Sequence, residues 1–168
     1  MGCGKSAVGR RLSGLTGSRF VDTDELVVKA GGCSIPGLFA LRGEDGFRDI
    51  EASVLGDLVG TSGIILSTGG GVVLRESNRE VLKKIGIVVW IDSDPDVLFE
   101  RAMRSGRRPL LQTENPRESF DRLLAARCAV YEATADVRFD STHVSLDETA
   151  RRVLETAMLF HTRHEALG

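Results

Sequence analysis

The segment that most constrains this chain lies at its start, where Gly2-Cys3-Gly4-Lys5-Ser6 runs directly into the helical Ala7-Val8-Gly9-Arg10-Arg11-Leu12. It reads as the second half of a phosphate-binding loop. In such a loop consecutive amides wrap phosphate oxygens and the helix N-terminus adds partial positive charge. Lys5 then neutralises the outer phosphates and the Ser6 hydroxyl ligates Mg²⁺. The full pattern has an earlier glycine, which would lie before Met1. Without it, a chance Gly-Lys-Ser at a helix start would look the same.

The rest of the chain supplies an α/β framework for such a loop. Ile64-Ile65-Leu66 and Ile87-Val88-Val89-Trp90-Ile91 are β-branched-rich runs of strand length, which suits parallel strands covered on both faces. Arg19-Phe20-Val21 and Val137-Arg138-Phe139 are weaker strand candidates. Asp94-Pro95 and Asn115-Pro116 each place a capping side chain and a first-turn proline before helical apolar spacing. Ser145-Leu146-Asp147-Glu148 has the spacing of a capping box and opens a last helix. Strand alternating with helix predicts a parallel sheet layered between helices.

Length and charge narrow the functions available. The 168 residues make one domain, 1–168, with no internal repeat or linker. The 22 basic and 24 acidic residues leave a net charge of −2, so no positive excess draws nucleic acid or a membrane surface, and any anion must be bound locally. Cys3, Cys33 and Cys128 are far apart and lack metal-ligand spacing, which fits idle thiols in a reducing cytoplasm. No apolar run reaches the length needed to span a bilayer, and a cytoplasmic protein is expected.

Several clusters carry chemistry. Asp22 and Asp24 follow a strand, where alternation would aim both carboxylates similarly. One could serve a metal shell while the other holds or deprotonates a hydroxyl, or the pair could simply cap a helix. Arg48 and Glu51 share a helical face at i, i+3, as a surface ion pair also would. Ser67-Thr68-Gly69-Gly70-Gly71 follows an apolar strand at the sheet edge where open α/β sheets bind ligands. The arginine-rich stretch 104–118 reads as a lid between two helices, or as an ordinary solvated loop. Trp90 and Cys128 read as structural.

Taken in order, Gly-x-Gly-Lys-Ser, Phe20-Val21-Asp22-Thr23-Asp24, Phe47-Arg48-Asp49-Ile50-Glu51, Ser67 to Gly71, Arg108-Pro109-Leu110-Leu111 and Arg127 before Tyr131 strongly resemble shikimate kinase. That family belongs to the nucleoside-monophosphate-kinase-like group of P-loop proteins. The resemblance implies a three-layer α/β/α fold and ATP-dependent phosphorylation of the 3-hydroxyl of shikimate, on the route to chorismate. Carried over, Gly2, Cys3, Gly4, Lys5, Ser6, Ala7, Arg101 and Arg108 meet ATP, and Ser6 and Asp22 serve Mg²⁺. Lys5, Asp24 and Arg108 take catalytic roles, with Asp24 the candidate base. Asp24, Arg48, Gly70, Gly71 and Arg127 bind shikimate on helices at about 22–59 and beyond, and Glu51 orients Arg48. A monomer with shikimate and ATP as its only partners is expected.

The family's first hydrophobic strand, in the middle of a five-stranded sheet, has no counterpart in these residues. Four buried aliphatic side chains at about 1.5–3 kcal/mol each amount to roughly 6–12 kcal/mol, comparable with a whole domain's stability of about 5–15 kcal/mol. The expectation is therefore a marginal chain whose true start lies upstream, or a degenerate copy, with two strand pairs flanking a vacant slot or a slot filled by a partner segment. The rival to the enzyme is a non-catalytic P-loop relic that binds nucleotide. Gluconate kinase shares the loop but not the two arginines with a Gly-Gly-Gly pocket.

Overall fold

The structure, a computed structural model, describes residues 2–104 and 113–165. Its elements run α1 (Lys5–Thr16), β1 (Arg19–Asp22), α2 (Thr23–Gly31), α3 (Ile35–Gly56), β2 (Ile64–Ser67), a 3-10 turn (Val72–Leu74) and α4 (Glu76–Ile85). They continue as β3 (Val89–Asp92), α5 (Pro95–Arg104), α6 (Pro116–Thr134), β4 (Val137–Asp140) and α7 (Leu146–Glu165). The strands form two parallel pairs, β1 with β2 and β3 with β4. The chain divides into two compact units, Lys5–Gly86 and Met1–Gly4 with Ile87–Gly168.

In the unit Lys5–Gly86, local chemistry sets the helix starts. Asp22 is extended (φ −115°, ψ 122°), and its Oδ1 accepts the Asp24 amide at 3.0 Å, which satisfies an otherwise orphan donor and starts α2. Ser34 caps α3 through the Gly37 amide, with Pro36 in the first turn. Gly43 breaks α3 with φ 68°, a conformation that side chains resist, and the following half buries Phe47, Arg48, Glu51, Val54 and Leu55. Val27, Leu38, Phe47 and Val54 form the core of this unit. β1 and β2 run in register from Arg19↔Ile64 to Asp22↔Ser67, so Asp22 and Ser67 emerge side by side at the carboxyl ends of the strands.

In the other unit, Cys3, Leu98, Ala102 and Phe120 form the core. Asp94 Oδ1 caps α5 through the amides of Asp96 (2.8 Å) and Val97 (3.4 Å). Trp90 packs against Tyr131, with ring centroids 5.7 Å apart, and Arg138 lies 4.5 Å over its ring while pairing with Asp92. Burial raises the Cys128 thiol above its ordinary range, in keeping with a structural role.

Five expectations change. β3 begins at Val89 rather than Ile87, because the Val88 amide donates to the Asp136 carboxylate at 2.8 Å while the Val88 carbonyl takes the Asp136 and Val137 amides. Residues Ile64–Leu66 and Val89–Ile91 are half-buried rather than covered, since each strand of a two-stranded sheet is an edge. Asn115 precedes α6 without a side-chain cap, its ψ of 77° lying outside the usual capping conformation; the Thr113 and Ser119 hydroxyls pair there instead at 3.0 Å. Half of the capping box at α7 forms: Ser145 Oγ accepts the Glu148 amide, but the Glu148 carboxylate holds Arg152 at 2.6 Å and Arg151 at 3.1 Å. Residues 116–118 of the proposed lid open α6, and 105–112, with Arg108, lie outside the described residues.

Candidate active site

The phosphate loop has the backbone its sequence demands. Gly2 and Gly4 adopt φ 75° and 77°, in the left-handed region that L side chains avoid. A β-carbon on Gly2 would overlap the Leu98 carbonyl of α5, and Cys3 is buried against Leu98, Ala102 and Phe120. Lys5, Ser6 and Ala7 form the first turn of α1, the end of a helix whose amides point along its axis and favour an anion.

In the unit Lys5–Gly86, the Ser6 hydroxyl donates to Asp22 Oδ2 at 2.8 Å and stands 3.2 Å from Ser67 Oγ. Asp22 therefore works with both oxygens, one on the Ser6 hydroxyl and one capping α2. Because α2 starts at Thr23, strand alternation ends at Asp22 and does not set the direction of Asp24. With the Ser6 proton engaged by Asp22, the hydroxyl keeps lone pairs for a cation. This is an all-oxygen set, which suits a hard ion such as Mg²⁺ that retains waters and takes few protein ligands. Among the described residues no group of three His, Cys, Asp or Glu gathers into a metal cage.

The glycine triplet lies against the other predicted residues. A β-carbon on Gly69 would stand 2.9 Å from Asp24 Oδ1 and 3.4 Å from Glu51 Oε1. On Gly71 it would overlap the Arg48 guanidinium, at 2.6 Å from Nη1 and 2.8 Å from Cζ. Only bare backbone lets these side chains approach so closely. Arg48 Nη1 donates to Glu51 Oε2 at 2.7 Å and Nη2 to Glu44 Oε1 at 3.2 Å, with Arg48 8 % and Glu51 1 % exposed. The pair is buried, which removes the surface ion-pair reading. Burial raises the Glu51 carboxyl above its ordinary value, and the Arg48 hydrogen bond and charge oppose that rise without cancelling it.

In the other unit, Arg101 sits in the last turn of α5 and Arg127 in α6. Arg127 is 6 % exposed, and among the described residues its guanidinium has no hydrogen-bonding or ion-pair partner. A permanently charged group so placed calls for an anion. Two residues of the site were not assigned from sequence. Ser67 was only a letter in its motif, and Thr23 was the spacer between two carboxylates; nothing local marked either, because their partners Ser6 and Gly69 are 61 and 46 positions away.

A glycine loop running into a helix, a hydroxyl paired with a carboxylate beside it and an α/β frame with parallel strands are the marks of a P-loop kinase. Similarity narrows the class. The chain belongs to the shikimate kinase family, whose model matches residues 1–158. It is 41 % identical over 155 residues to a shikimate kinase of Actinobacillus pleuropneumoniae serotype 5b, covering 92 % of this chain and 90 % of that one. It is 40 % identical to one of Halorhodospira halophila, with 92 % and 88 % covered. Among solved structures, a shikimate kinase from Acinetobacter baumannii in complex with shikimate superposes with TM-score 0.89 at 36 % identity, covering 94 % of this chain and 88 % of that one. That from Aquifex aeolicus gives 0.79 at 35 %, with 92 % and 90 % covered.

Proposed function

We propose that this chain transfers the γ-phosphoryl group of ATP to the 3-hydroxyl of shikimate, giving shikimate 3-phosphate and ADP. The observation that carries the reading is the packing of Asp24, Glu51 and Arg48 against the bare backbone of Gly69 and Gly71, in the same unit as Lys5 and the Ser6–Asp22–Ser67 group. Phosphoryl transfer needs positioning and charge neutralisation more than covalent help. Lys5 and the first-turn amides of α1 hold the phosphates. Asp24 accepts a hydrogen bond from the acceptor hydroxyl and takes its proton as the new P–O bond forms. Arg48, fixed by Glu51 and Glu44, and Arg127, which has no anionic partner among the described residues, bind carboxylate, for which a guanidinium fork is the matched partner. Glu51 orients Arg48.

Ser6 and Asp22 would hold Mg²⁺, which when bound would neutralise phosphate charge. Among the described residues no helix is long and apolar enough to cross a membrane. We assign the chain to the cytoplasm from its three widely spaced cysteines, and take it to act as a monomer. The reading is tested by ADP release coupled to an indicator reaction, with MgATP and either shikimate or gluconate. Turnover with shikimate and none with gluconate is expected. Equal rates, or none with shikimate, would sink the assignment.

A further inference from the structure

We propose that Thr23 is a positioning residue for the glycine triplet, holding Gly69 so that the triplet keeps Asp24 and Arg48 in place. The inference rests on the reading above that Asp24 and Arg48 meet shikimate. A glycine has no side chain with which to anchor itself, so its position is set by its peptide groups. Downstream, the Gly69 carbonyl takes the Val72 amide at 3.2 Å and the Gly71 carbonyl takes the Leu74 amide at 3.0 Å. The Val72 carbonyl is in turn held at 3.0 Å by Nδ2 of Asn78, which is 1 % exposed. Upstream, the Gly69 amide donates to Thr23 Oγ1 at 3.2 Å, across 46 positions of sequence.

Thr23 is itself 1 % exposed, so water is poorly placed to replace its oxygen. The residue that receives the Gly69 amide is the chain neighbour of Asp24, whose Oδ1 lies 2.9 Å from where a β-carbon on the same glycine would stand. Thr23 therefore ties the start of α2 to the triplet at the point where both face the acceptor. Losing the tie lets Gly69 drift from Asp24, and through Gly71 it frees the Arg48 guanidinium, while Lys5 and the amides of α1 are untouched.

The test compares Thr23→Val, which keeps shape but has no acceptor, with Thr23→Ser, which keeps the hydroxyl. Thr23→Ala, also without the acceptor, serves as a second arm should the valine variant misfold. The valine variant should raise the KM for shikimate about tenfold, the scale of one unmade buried hydrogen bond, and leave the KM for ATP within about twofold. The serine variant should stay within about twofold of the parent on both. In glycine-labelled protein without ligands, exchange of the Gly69 amide should quicken in the valine and alanine variants and not in the serine one. An unchanged shikimate KM in folded Thr23→Val or Thr23→Ala protein, equal rises for both substrates, or a serine variant as impaired as valine would overturn the inference while leaving the substrate reading intact. If the parent protein leaves shikimate untouched, the substrate reading falls and the KM part of the inference with it, and Gly69 exchange still decides whether Thr23 holds the loop.

Discussion

Asp22 and Asp24 stand two positions apart and carry separate duties, because helix α2 begins between them. Asp22 spends both oxygens on protein donors, the Ser6 hydroxyl and the Asp24 amide, and stays at the phosphate end of the site. Asp24 lies against Gly69, where an acceptor hydroxyl is proposed to bind. Asp24→Asn keeps size and removes the base, so turnover should fall about 10²–10⁴-fold while MgATP affinity stays within about twofold, read from steady-state kinetics and nucleotide titration. Arg127→Ala should instead weaken shikimate binding by about 2–4 kcal/mol, because the carboxylate loses its buried fork. A loss of nucleotide affinity alone in both variants would refute this division. Glu51 adds a pH signature. Its carboxyl titrates above the ordinary value of 4.5 in the folded protein, chiefly through burial, so the folded state binds the proton more tightly than the unfolded chain. Stability from this group is therefore fully present below pH 4.5 and lost as pH rises through the raised folded value. Glu51→Gln does not titrate there, and its melting temperature relative to the parent should climb across that window; a flat difference would contradict the sign.

At the scale of elements, the glycine triplet is a surface against which side chains are packed. Gly71 has an ordinary φ of −91°, so Gly71→Ala tests space alone. The added methyl must displace the Arg48 guanidinium, which should cost about 1–3 kcal/mol of stability and raise the KM for shikimate with little effect on ATP. Gly14→Ala, on an exposed helical position with nothing within 4 Å, is the control and should stabilise by about 0.5–1 kcal/mol. Denaturant midpoints for the two variants that moved the same way would undermine the argument. These elements differ in how legible they were. The strands were visible as apolar runs and two pairs were expected, but which strands pair, Arg19 with Ile64 and Val89 with Val137, is seen only in the structure. The Asp94 cap was readable because cap and helix are contiguous. The Asn115 cap was misread because the sequence does not show its backbone, whose ψ of 77° lies outside the capping conformation. Burial of Arg48 with Glu51 was hidden for another reason: i, i+3 spacing is the same on a wet face as on a dry one, and only packing against Gly71 distinguishes them.

Across the whole molecule, the proposed ligands should leave separate footprints. Of the substrate-side residues, Asp24, Arg48, Glu51, Gly69 and Gly71 belong to the unit Lys5–Gly86 and Arg127 to the other, whereas the phosphate loop runs from Gly2 to Ser6 with its first half packed on α5. A ligand that binds only folded protein stabilises it by about 2.7 kcal/mol at a concentration one hundred times its Kd. In a chain of this size that corresponds to a rise in melting temperature of roughly 5–10 °C. Shikimate alone should produce such a rise and slow amide exchange over residues 22–25, 44–51 and 67–72 and around Arg127, where its contacts are proposed. MgADP alone should slow exchange over residues 2–7, since the loop amides are the groups that close on phosphate. The footprints also separate the kinase from a nucleotide-binding relic, because a relic has no reason to keep a buried Arg48–Glu51 pair costly to desolvate unless an anionic acceptor uses it. MgADP protection of the loop with no effect of shikimate on exchange or melting would favour the relic, and shikimate protection confined to residues 2–7 would show that the acceptor site had been placed on the wrong elements.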